Sequence, residues 1–274
     1  MSALTEVFRE TDRPLLMPYA VGGYPDLRSC LEILRTYLAS GADIIELGIP
    51  FSDPLADGPV IQAASQVALD QGVKPAQVLD LAGQIAREGG KMVLLSYLNV
   101  ILAMGTNEFF GRCRDNQVLG VVIPDLPVEE AGDLQNLAKT RGVDLILLAA
   151  PTSTDARLAR IAGAASGFIY CVSTTGVTGA RTSLQAGLPE FVARIRRHTD
   201  LPLAVGFGVS SVDQAATVAT YADGVIIGSA LVQMLRPDEP LETGLQRVGS
   251  FLKEAEEAIG AAGTGRAGGA VAKN

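Results

Sequence analysis

The chain has 274 residues, close to the roughly 250 of a (β/α)8 barrel, and 48% of them are apolar, enough to bury one large core. Only 19% are charged and 5% aromatic, with no Trp, so packing falls to small and aliphatic side chains, as in layered α/β folds. A net charge of −8 argues against nucleic acid or an anionic membrane as partner, and no apolar run reaches the ~18 residues of a membrane span.

The N-terminal stretch MSALTEVFRETDRP is polar and amphipathic, unlike a secretory signal, and its 2–10 segment reads as a short helix plugging the bottom of a barrel. Eight short apolar runs follow. They are LLMPYA (15–20), IIEL (44–47), MVLL (92–95), GVVI (120–123), LILL (145–148), FIYCV (168–172), LAVG (203–206) and GVII (224–227). Continuous apolar runs of this length are expected of parallel strands covered by helices. Helical patterns separate them, among them 27–39 and 128–140, the latter opening after Pro127 with Glu129 and Glu130 in its first turn.

Two connections are long. After the second run comes PFSDPLADGP and an extra helix over 60–71; after the sixth comes STTGVTGARTSLQAGLP. Both follow a strand's C-terminal end, where loops of a (β/α)8 barrel build its active site. An open doubly wound sheet is the competing arrangement, but the chain shows no two-half symmetry and no GxGxxG after its first strand. The expected fold is therefore an α/β TIM barrel with an extra N-terminal helix and extra helices after strands two and eight, a short one over 230–235 and a final one over 241–259. Residues 1–260 form one domain in this reading, and the Gly/Ala-rich 261–274 a disordered tail.

Glycines cluster after the last strands: Gly176 and Gly179, Gly206 and Gly208, and Gly228 beside Ser229. Glycine lets the backbone approach a phosphate and donate N–H bonds to it, although each could instead serve a tight turn. Ser229 could cap the 230–235 helix or turn to the phosphate. Glu46 stands inside an apolar strand, where a carboxylate is either paired or becomes a proton donor and acceptor near neutrality. Asp57, before Gly58-Pro59 and a helix, reads first as an N-cap, and Asp53 before Pro54 as a turn residue.

Other chemistries lack their residues. The single His, His198, sits in a basic run at a helix end, away from the expected site, which leaves no His-based catalysis and no His-rich metal site. No Lys falls at a strand's C-terminal end, against a Schiff base. Cys30, Cys113 and Cys171 are odd in number and far apart; they fit no disulfide framework, and a reducing cytoplasm is expected.

Five segments together resemble the tryptophan synthase alpha chain family: GADIIELGIPFSDPLADGPVIQAA (41–64), GVVIPDLPVEEA (120–131), GFIYCVSTTGVTGAR (167–181), VGFGVSS (205–211) and ADGVIIGSALV (222–232). The resemblance spans about Phe8 to Ala258. It implies retro-aldol cleavage of indole-3-glycerol phosphate to indole and glyceraldehyde 3-phosphate, indole then passing to a beta chain that makes L-tryptophan. Glu46 matches the family's general acid/base, and Asp57 the carboxylate that stabilises the indole nitrogen, which reverses the N-cap reading. Tyr170 matches a substrate-contacting tyrosine beside Glu46; Tyr19, Leu95, Tyr97 and Phe207 match the indole pocket. Gly179, Phe207, Gly208, Gly228 and Ser229 match a phosphate cradle, and Thr178 a lid residue in the 173–187 loop that meets Asp57.

The resemblance implies no cofactor on this chain and pyridoxal phosphate on the beta partner, in an alpha-beta-beta-alpha heterotetramer. Residues 51–59 and 98–105 would face that partner. Departures from the commonest pattern are Val21, Tyr24, Val100, Thr174 and Thr175, all in loops. Two competitors are an indole-glycerol-phosphate synthase, which would want a Lys at a strand end, and a non-catalytic regulatory subunit that binds a phosphate ligand, against which Glu46 and Asp57 together argue.

Overall fold

The computed structural model describes residues 2–172, 187–206, 208–236 and 238–263. Eight parallel strands close on themselves in sequence order, β1 pairing with both β2 and β8. They are β1 (Leu15–Val21), β2 (Ile45–Gly48), β3 (Met92–Leu95), β4 (Val118–Val122), β5 (Asp144–Ala149), β6 (Ile169–Val172), β7 (Leu203–Gly206) and β8 (Gly224–Ile227). The expected closed barrel is thus the observed one. Strand ends differ from the expected runs by at most two residues. Asp144 opens β5, for example, because hydrogen bonding with Ser2 and Ser166 opposes the cost of its burial.

Twelve helices accompany the strands among the described residues. In chain order they are α1 (Ala3–Arg9), α2 (Leu27–Ala39), α3 (Pro59–Asp70), α4 (Pro75–Arg87), α5 (Leu98–Met104) and α6 (Thr106–Asp115). Then come α7 (Gly132–Thr140), α8 (Asp155–Ala164), α9 (Leu188–Arg196), α10 (Val212–Ala219), α11 (Ser229–Met234) and α12 (Leu241–Gly263). The extra helices expected after strands two and eight are α3 and α11. One was not expected: β3 is followed by two helices, with α5 in the segment read as a loop. Its first N–H, that of Leu98, donates 2.9 Å to Oδ1 of Asp125, a cap supplied from 27 residues away that no local pattern announces.

Three expectations need correction. The helix expected over 128–140 begins only at Gly132, because 127–131 is held in turns by Glu130 N–H to Pro127 O and Ala131 N–H to Val128 O. Glu129, read as a first-turn acid, instead bridges Arg157 and Arg160 of α8. Ser229 does not cap α11: Gly228 holds the N-cap position and Ser229 is the helix's first residue. The last helix also runs past Ile259 to Gly263, into the segment read as tail; 264–274 lie outside the described residues.

The bottom of the barrel is filled as its glycines allow. Leu4 of α1 is fully buried in space that a Cβ at Gly120 or Gly167 would occupy, and Phe8 packs on Phe168 with ring centres 5.6 Å apart. The Thr5 hydroxyl donates 3.0 Å to the Gly167 carbonyl, so α1 plugs the end opposite the site. Asp43 ties the same end together. It accepts the Leu16 N–H at 2.7 Å and both terminal nitrogens of Arg13. Asp43→Ala leaves the Leu16 N–H without this acceptor and Arg13 with only Glu256 and the Pro14 carbonyl, and should lower stability by about 1–3 kcal/mol in urea unfolding.

Candidate active site

Strand alternation decides what meets at the mouth. Tyr19 and Glu46 are register partners on β1 and β2, so their side chains stand beside each other on one face. Leu95 on β3, Tyr170 on β6 and Ile226 on β8 join them around a cleft of about 410 Å³, partly open to solvent. Its rim is Asp57 and Ile61 on one side and Gly208, Val209, Gly228 and Ser229 on the other.

Glu46 is 2% exposed, and its Oε1 is the one buried side-chain oxygen or nitrogen among the described residues that lacks a hydrogen-bond partner. Burial, then the nearby charge of Asp57, pushes its pKa up to about 8. Asp57, 5% exposed, is pushed up to about 6 by burial, opposed by a hydrogen bond from Tyr97. Burial thus favours the protonated form of both carboxyls, more strongly for Glu46 than for Asp57. Burial, with the Glu46 and Asp57 charges adding to it, holds the Tyr19 and Tyr170 hydroxyls neutral well beyond the ordinary phenol range.

Close packing fixes the two tyrosines. A Cβ at Gly48 would fall on the Tyr19 hydroxyl, and one at Gly206 on that of Tyr170. Gly48→Ala should therefore push Tyr19 away from Glu46. The expected result is a loss in kcat/KM of about tenfold or more with the melting transition still cooperative. On the far rim, Gly208 has φ of 87°, a conformation that leaves its backbone bare toward the cleft and disfavours any side chain.

Of the residues expected at the site, Tyr19, Glu46, Asp57, Leu95, Tyr170, Gly208, Gly228 and Ser229 all line this cleft. Tyr97 is close but is not among the lining residues: it is 1% exposed and its hydroxyl meets the Asp57 segment. Thr178, Gly179 and Phe207 lie outside the described residues, as do Thr174, Thr175 and the rest of 173–186. Ile61, Val209 and Ile226 also line the cleft and were not singled out from sequence. Alternation back from Gly228 along β8 points to Ile226; nothing local marks Ile61, which reaches the cleft from α3.

His198 is exposed just after α9, and Cys30, Cys113 and Cys171 are buried and unbridged. Among the described residues no three His, Cys, Asp or Glu side chains gather as a metal site, and no helix is long and apolar enough to cross a membrane.

Barrel and cleft together define the class: a (β/α)8-barrel protein with buried carboxyls and hydroxyls gathered in a cleft at the barrel mouth. The family model of the tryptophan synthase alpha chain matches residues 6–260. The alpha chain of Carboxydothermus hydrogenoformans is 48% identical over 239 residues, covering 86% of this chain and 90% of its own. That of Dehalococcoides mccartyi is 42% identical over 260 residues, covering 94% and 100%. A chain of Mycobacterium tuberculosis tryptophan synthase superposes with a TM-score of 0.87 at 39% identity, covering 94% of this chain and 98% of that one. The chain belongs to the tryptophan synthase alpha chain family.

Proposed function

We propose that Glu46 and Asp57 divide the work of the family's reaction, the retro-aldol cleavage of indole-3-glycerol phosphate to indole and glyceraldehyde 3-phosphate. With that reaction the chain is a carbon–carbon lyase of tryptophan biosynthesis. The observation that carries the residue roles is the buried, unpartnered Oε1 of Glu46 in a cleft it shares with a second buried carboxyl.

In this reading protonated Glu46 delivers its proton to indole C3. The ring nitrogen gains positive charge, which ionised Asp57 balances across the cleft. Glu46, now a carboxylate, takes the proton of the hydroxyl on the carbon attached to C3. The carbon–carbon bond breaks, its electrons return to the indole ring, and the hydroxyl-bearing carbon leaves as the aldehyde. Tyr19, Leu95 and Tyr170, with Ile226, hold the indole ring, while Tyr97 acts from behind Asp57. Gly208, Gly228 and Ser229 hold the phosphate with backbone N–H groups and one hydroxyl, joined by Gly179 and Phe207. Thr178, outside the described residues, is assigned to the same site on the family resemblance alone.

Because Glu46 must start protonated and Asp57 ionised, activity against pH should be bell-shaped between apparent limits near 6 and 8, the pair titrating jointly.

The chain works without a cofactor of its own, beside a beta chain carrying pyridoxal phosphate in a cytoplasmic alpha-beta-beta-alpha heterotetramer. Two of the three large apolar side chains exposed among the described residues support the docking face: Leu55 at 81% and Leu102 at 54%, in the two segments expected to meet the partner. The test is to supply indole-3-glycerol phosphate to the purified chain, alone and with a beta chain, and to assay indole and glyceraldehyde 3-phosphate. Equimolar formation of both supports the reading. Tight binding with no cleavage in either case would overturn it in favour of a regulatory subunit.

A further inference from the structure

Tyr97 follows β3 at its mouth end and occupies the N-cap position of α5, yet its side chain makes no cap hydrogen bond there. It turns instead toward residues 51–58, a segment without helix or strand. Its ring packs against Phe51, centroids 5.3 Å apart and tilted 31°. Its hydroxyl accepts the N–H of Ala56, the residue before Asp57, at 3.1 Å, and so lies close enough to the Asp57 carboxyl to lower its proton affinity. A phenol has one hydrogen to give, so an oxygen already accepting from Ala56 meets the carboxylate as a donor.

Among the described residues the other bonds to Asp57 are at its backbone: its N–H bonds to Pro54 O at 3.1 Å, and its carbonyl accepts from Gln62 Nε2 at 2.8 Å. Neither bond restrains the carboxyl. The corner that carries Tyr97 is itself pinned, since the next N–H, that of Leu98, is bonded to Asp125 from beyond β4.

We propose that Tyr97 is a positioning residue that orients the Asp57 carboxylate and keeps it ionised for the reaction, acting through Asp57 rather than lining the indole pocket. The proposal rests on the reading of Asp57 given above. Among the described residues the titratable groups that face Asp57 are Glu46, Tyr19, Tyr170 and Tyr97, and Asp125 faces Tyr97 in turn. Of these, Tyr97 alone lowers the proton affinity of Asp57 by a hydrogen bond. A donor to a carboxylate favours the charged form, so removing it raises the carboxyl's pKa.

The experiment is the pH profile of kcat and KM for indole-3-glycerol phosphate cleavage in wild type, Tyr97→Phe, Phe51→Leu and Asp57→Asn. Tyr97→Phe keeps the ring and deletes the donor. It should lower kcat about 10- to 100-fold with KM changed less than about threefold, and shift the acid limb to higher pH by about one unit. Phe51→Leu removes ring packing but leaves the hydroxyl, so its acid limb should stay in place. Should Tyr97→Phe not fold, 3-fluorotyrosine at position 97, a stronger donor of the same shape, should move the acid limb to lower pH. An unmoved limb in Tyr97→Phe, or with 3-fluorotyrosine, overturns the proposal, as does a loss confined to KM. If instead Asp57→Asn retains turnover, the assignment of Asp57 fails first, and with it the ground on which Tyr97 acts.

Discussion

Glu46→Gln should abolish cleavage of indole-3-glycerol phosphate, lowering kcat by about 10³-fold, while substrate affinity changes less than about threefold. The amide keeps the size and shape of the carboxyl but cannot lend a proton at neutral pH. No other buried group in the cleft can replace it. Asp57 is ionised there, and Tyr19 and Tyr170 hold their protons well above the ordinary phenol range. Affinity is kept because the apolar wall and the Gly-Ser rim are untouched. Single-turnover assays with a separate binding isotherm distinguish the two quantities, and undiminished turnover would remove Glu46 from its role.

The same variant should be more stable than wild type at alkaline pH, by about 2–4 kcal/mol at pH 8. The sign follows from proton binding. The Glu46 carboxyl titrates near 4.5 when unfolded and near 8 when folded, so between those limits the folded state holds a proton that the unfolded state has lost. Raising pH across that window therefore favours unfolding, and Asp57 adds the same sign between about 3.8 and 6. Glutamine carries no such proton, so only the Glu46 part of the slope disappears. Urea midpoints of the two proteins should nearly coincide at pH 4.5 and diverge steadily toward pH 8. Parallel curves would mean that Glu46 is not strained by its burial. A group retained at this cost, where it weakens the fold, is better explained by function than by packing.

Much of this was legible along the chain because it is written in local periodicity. An apolar run of four to seven residues, closed by helix-forming stretches, is a parallel strand wherever it folds, and eight in a row leave few topologies. A carboxylate in IIEL is conspicuous for the same reason: its neighbours announce the burial that charge resists. The glycines after β7 and β8 likewise mark backbone that must come bare to a ligand or a turn.

Other features depend on partners far along the chain. Asp57 beside Gly58-Pro59 looks locally like a helix cap; family resemblance reversed that reading, and the tertiary structure brings its buried carboxyl near Glu46 and Tyr97. Ser229 looks like a cap and is not one, because Gly228 takes that position. The helix α5 is missed because its cap, Asp125, comes from beyond the next strand.

The sequence by itself determined the barrel, the mouth as the place for chemistry, and Glu46 as its odd residue, since alternation and the cost of burying charge act over neighbouring positions. Only the tertiary structure decided which hydroxyl steadies Asp57, which aliphatics wall the cleft and how far apart the two carboxyls sit in proton affinity. Those depend on desolvation and on distances between groups that the barrel brings together from opposite parts of the chain.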